Sequence, residues 1–265
     1  MGENNSQTDK QAFSARELLL FACREGRASD AGEILSGMPS EEARILSLQE
    51  LDAAAIVSGS EVVRELLRFC AGDPDCGFAL RKAVSDLSVY SSEGMAIAAP
   101  NFPRSDLIKS IKMLAAASPA GIGSSGAFSL AGHMGELDIF AIFIAREDFA
   151  PARGEALRSA AGEGNEECVT ALLASGGISR ESKGQAQCLA LEMEEFEGRS
   201  PQASRLLAGS MEDLDADELA LVKEWCDNKG YNIGARWARA LLEGKELEAS
   251  QHASASRCKA GARRI

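Results

Sequence analysis

The sequence predicts an all-α solenoid built from stacked helical pairs. Three observations predict it. Apolar residues recur at helical spacing in short blocks, and each block is stopped by glycine. The stops recur at similar separations: Gly26 to Gly59 is 33 residues, Gly135 to Gly164 is 29, Gly164 to Gly198 is 34 and Gly198 to Gly230 is 32. Finally, the long Val/Ile/Tyr alternation of a sheet is missing, while aromatics make up only 5% of the 265 residues. That composition suits thin helices packed through small side chains. Two short helices cannot bury their apolar faces alone, so each pair requires neighbours and the array as a whole carries the core.

In chain order, residues 1–13 are polar and are expected to be disordered. They have no signal-peptide apolar core, and Gly2 with Ser6 matches only the loosest acylation pattern. Ser14 with Glu17 forms a capping box for a helix over Ala15 to Glu25, followed by one over Ser29 to Leu35. Glu41 to Ser58 reads as one bent helix or two short ones, and Ser60 to Cys70 buries Val63, Leu66 and Leu67. Asp73 to Gly77 is a turn cluster ahead of a helix over Phe78 to Asp86. An irregular insertion near 87–103 precedes a helix with Leu107, Ile108, Ile111 and Leu114 on one face. Pro119 to Gly126 reads as a Gly/Ser linker turn. The units Ala127 to Ala145 and Glu155 to Ser175 follow, with Asn165 as a side-chain cap ahead of Glu166 and Glu167. Helices then run over Gly184 to Glu197, with Leu189, Met193 and Phe196 inward, and over Pro201 to Ala208. A unit capped by Asp215 carries Leu219, Leu221, Val222 and Trp225, and Asn232 to Leu242 closes the array with Ile233, Trp237 and Leu241. Residues 247–265 lack apolar periodicity, carry Arg257, Lys259, Arg263 and Arg264, and read as a flexible basic tail.

Four of these units share a phrase. Leu157, Ala160, Ala161, Gly164, Leu172, Leu173 and Gly176 give it in full, and Ala131, Gly132 and Gly135 repeat its middle. Ala22, Cys23 and Gly26 with Ile34 and Leu35 repeat it again, as do Ala54, Ala55 and Gly59 with Leu66 and Leu67. This phrase resembles the ankyrin repeat. The opening Thr-Pro-Leu-His of a typical ankyrin unit is absent from every copy, and His133 falls after the Ala-Gly pair rather than in that phrase. The resemblance implies an ankyrin-type array of about six to seven irregular units over residues 14–246. It also implies binding through a concave face made of first helices and turn tips. On that pattern the contact residues are those just before the repeat glycines: Arg24, Glu25, Val57, Ser58, His133, Met134 and Glu163.

Charge and chemistry point the same way. A net charge of −12 disfavours nucleic-acid and anionic-membrane surfaces and favours a basic protein partner. No apolar run approaches the roughly 20 residues of a spanning helix, so no stable membrane insertion is expected. The only histidines are His133 and His252, and the seven cysteines form no CxxC pair. A metal site, a catalytic triad and a cofactor are therefore not expected. No GxGxxG or GxxxxGK[ST] frame opens a helix. Glu212 to Glu218 lacks the glycine and spacing of a calcium loop. The cysteines are expected to be free and mostly buried, in a reducing, cytoplasmic setting. The expected function is a non-catalytic protein-binding scaffold. The alternatives are a helical enzyme or enzyme subunit with a pocket in the irregular 76–119 region, and a secreted host-directed effector.

Overall fold

The computed structural model describes residues 13–87, 103–198, 201–209 and 214–246. The expected disordered start, most of the expected insertion and the basic tail fall outside these residues. Among the described residues every regular element is helical. The chain forms two compact units, Met1–Ser124 and Ser125–Ile265.

The first unit begins with α1 (Ala15–Arg24), whose Ser14–Glu17 capping box is present as the sequence predicts. It continues with α2 (Ala28–Ser36), α3 (Ser40–Val57), α4 (Ser60–Cys70), α5 (Cys76–Asp86) and α6 (Arg104–Ala117). The 18-residue α3 is a single helix. Helices α1, α3 and α5 stack successively, and α2, α4 and α6 stack beside them. Leu19, Leu35, Leu51, Leu66, Leu80, Ile111 and Leu114 are fully buried between these layers. Asp106 of α6 accepts the backbone N–H of Ser60 at 2.7 Å and its hydroxyl at 2.8 Å, so it caps α4 from a neighbouring helix. Desolvation raises the Asp106 carboxyl, but the two Ser60 bonds and Lys109 outweigh it and hold it below the ordinary value.

Helix α7 (Ile122–Met134) starts inside the expected linker turn. The glycines there serve close packing. A Cβ at Gly123 would lie 2.6 Å from the Gly77 carbonyl carbon, so two backbones meet where no side chain fits. Cys76 and Gly77, expected in the turn cluster, begin α5 instead.

The second unit holds α8 (Leu137–Ile144), a 3-10 segment (Glu147–Ala152), α9 (Arg153–Glu163) and α10 (Glu166–Ser175). It continues with α11 (Arg180–Glu197), α12 (Pro201–Ala208), α13 (Ala216–Lys229) and α14 over residues 232–246. Again α9, α11 and α13 stack in turn, with α8, α10 and α12 alongside. Phe128, Phe140, Phe143 and Phe149 form a buried ring cluster with centroids 4.9 to 6.2 Å apart. Cys188, Val222, Cys226, Ala235 and Ala238 form a second core, flanked by Trp225, Tyr231 and Trp237. Leu172 is fully buried and Leu173 half-buried.

Several glycine turns share one pattern of backbone hydrogen bonds. At Gly164 the chain turns through φ 73°, its N–H reaching Ala161 O and the next N–H reaching Ala160 O. This is a Schellman closure, which favours glycine because other residues are strained at positive φ. Gly26, Gly135 and Gly230 close their helices with the same pair of bonds. Gly59 differs: at φ 80° and ψ 165° it stands as the N-cap of α4.

Candidate functional site

The sequence places its contact residues at the turn tips, and three of them come together in the second unit. His133 ends α7 with Met134, and Glu163 is the last residue of α9. His133 Nδ1 lies 3.0 Å from Glu163 Oε1, both side chains being partly open to solvent. Met134 is half-buried beside them. Asn165 ties the start of α10 to the end of α7. It occupies the N-cap position of α10, yet its side chain does not cap that helix. Its amide instead donates to Gly132 O at 2.7 Å and His133 O at 2.8 Å. The His133 carbonyl at the end of α7 is thereby satisfied from the neighbouring turn, and Gly132 O, which already accepts the Gly135 N–H, gains a second donor.

The other expected contact residues lie in the first unit. Arg24 and Glu25 are exposed at the end of α1. Val57 ends α3, and its side chain lies outside the described residues. Ser58 is only 3% exposed, so its side chain presents no surface to a partner. The residue follows α3 as its C-cap and is enclosed by the start of α4.

The electrostatics of the second unit's turn tips are unusual. Helix C-termini favour cations, because unpaired carbonyls leave a negative pole there. Here α9 ends on Glu163, and α11 carries Glu194, Glu195 and Glu197 in its last residues with no basic side chain in its last turn. The adjoining N-termini add Asp138 on α8 and Glu166 and Glu167 on α10, where acids are favourable. Glu194 accepts the Ser204 hydroxyl at 2.7 Å.

Phe196, expected inward, is 68% exposed. Register explains the difference. Cβ atoms at Gly154 and Gly162 would meet Ser182 and Leu189, so α9 and α11 run parallel with Glu163 near the level of Ala190. Helix α11 then continues for about 10 Å past its neighbour at 1.5 Å per residue, and its last turns have nothing to pack against on that side. Leu221 and Leu241 are 51% and 41% exposed.

Sequence reasoning missed three buried charged groups, Glu50, Arg153 and Glu192. Arg153 donates from its guanidinium to Ile144 O at 3.1 Å and Gly176 O at 3.3 Å, joining the ends of α8 and α10. Glu192 is 4% exposed and accepts the N–H groups of Asn232, Ile233 and Gly234 at 3.2, 2.8 and 3.3 Å. Nothing local in the sequence distinguishes these residues from their exposed neighbours.

Cys23, Cys70, Cys76, Cys168, Cys188 and Cys226 are free and buried. Burial, then the nearby Glu50, pushes the Cys23 thiol up to about 12. Burial, helped by Glu167 and Glu136, pushes Cys168 up to about 11. Among the described residues no group of three or more His, Cys, Asp or Glu is placed to hold a metal ion. No helix among them is long and apolar enough to cross a membrane. No protein-family model, curated protein or solved structure matches the chain.

Proposed function

We propose that this chain is an ankyrin-type, non-catalytic protein-binding scaffold that receives a basic protein partner at the turn tips of its second unit. The observation that carries the reading is the set of acids at the C-terminal ends of α9 and α11. Carboxylates there oppose the helix dipole, even where Glu163 meets His133 and Glu194 accepts the Ser204 hydroxyl. A basic surface would relieve that repulsion and be drawn to it. The Asn165 tie supports the same reading, because it holds the end of α7, with His133, in place before any partner arrives. A preordered surface loses less freedom on binding. The four matching glycine closures and the stacking of like helices on like support the ankyrin-type assignment. The buried thiols support a reducing, cytoplasmic setting.

The test is affinity capture with wild-type bait and with the Glu163→Lys/Glu195→Lys double variant, each at low and physiological salt. The expected outcome is a basic partner that the variant loses and that salt weakens. Equal capture by both folded baits would show that the partner does not use these tips.

A further inference from the structure

The first helix carries a surface that neither the fold nor the proposed acidic site uses. Helix α1 buries Leu19, Ala22 and Cys23. On its other side Phe13, Glu17, Leu18, Leu20, Phe21 and Arg24 line an apolar groove of about 370 Å³. Phe13 and Phe21 are 69% and 53% exposed, and Leu18 is 44% exposed. Arg27 lies over one face of the Phe21 ring at 4.6 Å and leaves the ring otherwise open.

The order of residues along this groove has a symmetry of its own. Glu17, Leu20, Phe21 and Arg24 follow the spacing i, i+3, i+4, i+7 and so share one helix face. Laid antiparallel on a second copy of itself, with the axis between Leu20 and Phe21, the seam reads against itself. Glu17 falls opposite Arg24, Leu20 opposite Phe21, and the reverse pairs follow by symmetry. An isologous interface requires this self-complementarity, each residue finding its partner under a two-fold axis. Arg16 and Arg24 stand against Glu17 on this helix, so it escapes the repulsion that the chain's net charge of −12 imposes elsewhere. Glu17 can take part, because Ser14 engages only its Oε2 atom.

We propose that α1 is a homodimerisation helix, pairing antiparallel with α1 of a second copy through a Leu20–Phe21 centre flanked by two Glu17–Arg24 ion pairs.

The experiment is sedimentation equilibrium of the full chain, wild type and variants, with circular dichroism to confirm folding. Wild type is expected to show a concentration-dependent monomer–dimer equilibrium, and Phe21→Glu to remain monomeric. Arg24→Glu alone places like charges together at both flanks, as does Glu17→Arg alone. Each is expected to weaken the dimer by roughly tenfold or more. An equimolar mixture of these two variants restores opposite charges at both flanks, so heterodimers are expected at near wild-type strength. Glu17→Arg also loses the capping box. Should it fold poorly, Arg24→Lys, which keeps the charge, is expected to dimerise where Arg24→Glu does not. A wild-type chain that stays monomeric to about 1 mM overturns the proposal, whether a different protein or residues 1–12 cover the groove. So does a dimer indifferent to the charge swaps.

Discussion

Glu192 offers the sharpest test of how the C-terminal units hold together. Its carboxylate meets the first three N–H groups of α14 from 40 to 42 residues away in sequence. The Ile233 bond at 2.8 Å is charge-assisted and is worth about 1.5–3 kcal/mol. Truncation to alanine lets water reach the exposed Asn232, whereas the N–H of buried Gly234 is left without a partner. That orphaned donor costs about 1–3 kcal/mol. Together these give a loss of about 3–5 kcal/mol for Glu192→Ala. Glutamine keeps an acceptor oxygen but loses the charge facing the helix N-terminus, so Glu192→Gln should cost about 1–2 kcal/mol. Denaturant unfolding gives both values. Hydrogen exchange shows where the loss falls. Units in a stacked array contact only their neighbours, so protection should drop over 216–246 and persist over 153–175. An alanine variant destabilised by less than about 1 kcal/mol, or no more than the glutamine variant, would refute the capping argument.

Leu172→Ala should cost about 2–5 kcal/mol in denaturant unfolding, since Leu172 is fully buried between neighbouring helices. Gly123→Ala should lower the melting temperature: the gain of about 1 kcal/mol in helix propensity is outweighed by a Cβ driven into the Gly77 backbone. Burial raises the Glu50 carboxyl against the pull of Arg16 and Arg24. Stability tied to its protonated form is therefore full below the unfolded value and lost as pH rises through the raised one. Glu50→Gln should then gain on wild type near pH 7 and lose that advantage towards pH 4, and a gap independent of pH would refute this. Cys23 and Cys168 should resist alkylation in the folded chain and react on unfolding, as mass spectrometry can follow.

The helix pairs and their glycine stops were legible in sequence because they are local. A Schellman closure needs only a few consecutive residues, and Gly26, Gly135, Gly164 and Gly230 announce it. The burial of Val169 and Leu172 follows from spacing alone. What was not legible depends on which helix lies opposite. Gly123 reads as a loop residue until the backbone of Gly77 is set against it. Phe196 has inward periodicity but outlasts the helix it would pack on. Asn165 is a good cap by type, yet a neighbouring helix end offers it two carbonyls instead. At the candidate site, His133, Met134 and Glu163 could be named one by one from their place before a glycine. That His133 and Glu163 touch required the register of α7 against α9.

Four of the polar ties between helices share one property. Asp106, Arg153, Asn165 and Glu192 all reach main-chain groups of a neighbouring segment. A main-chain group is present whatever side chain stands there, so such a tie survives when the neighbour mutates. A tie between two side chains would require both positions to change in step. Side chains at the accepting or donating positions can therefore change while these ties, and the helix spacing they hold, stay in place.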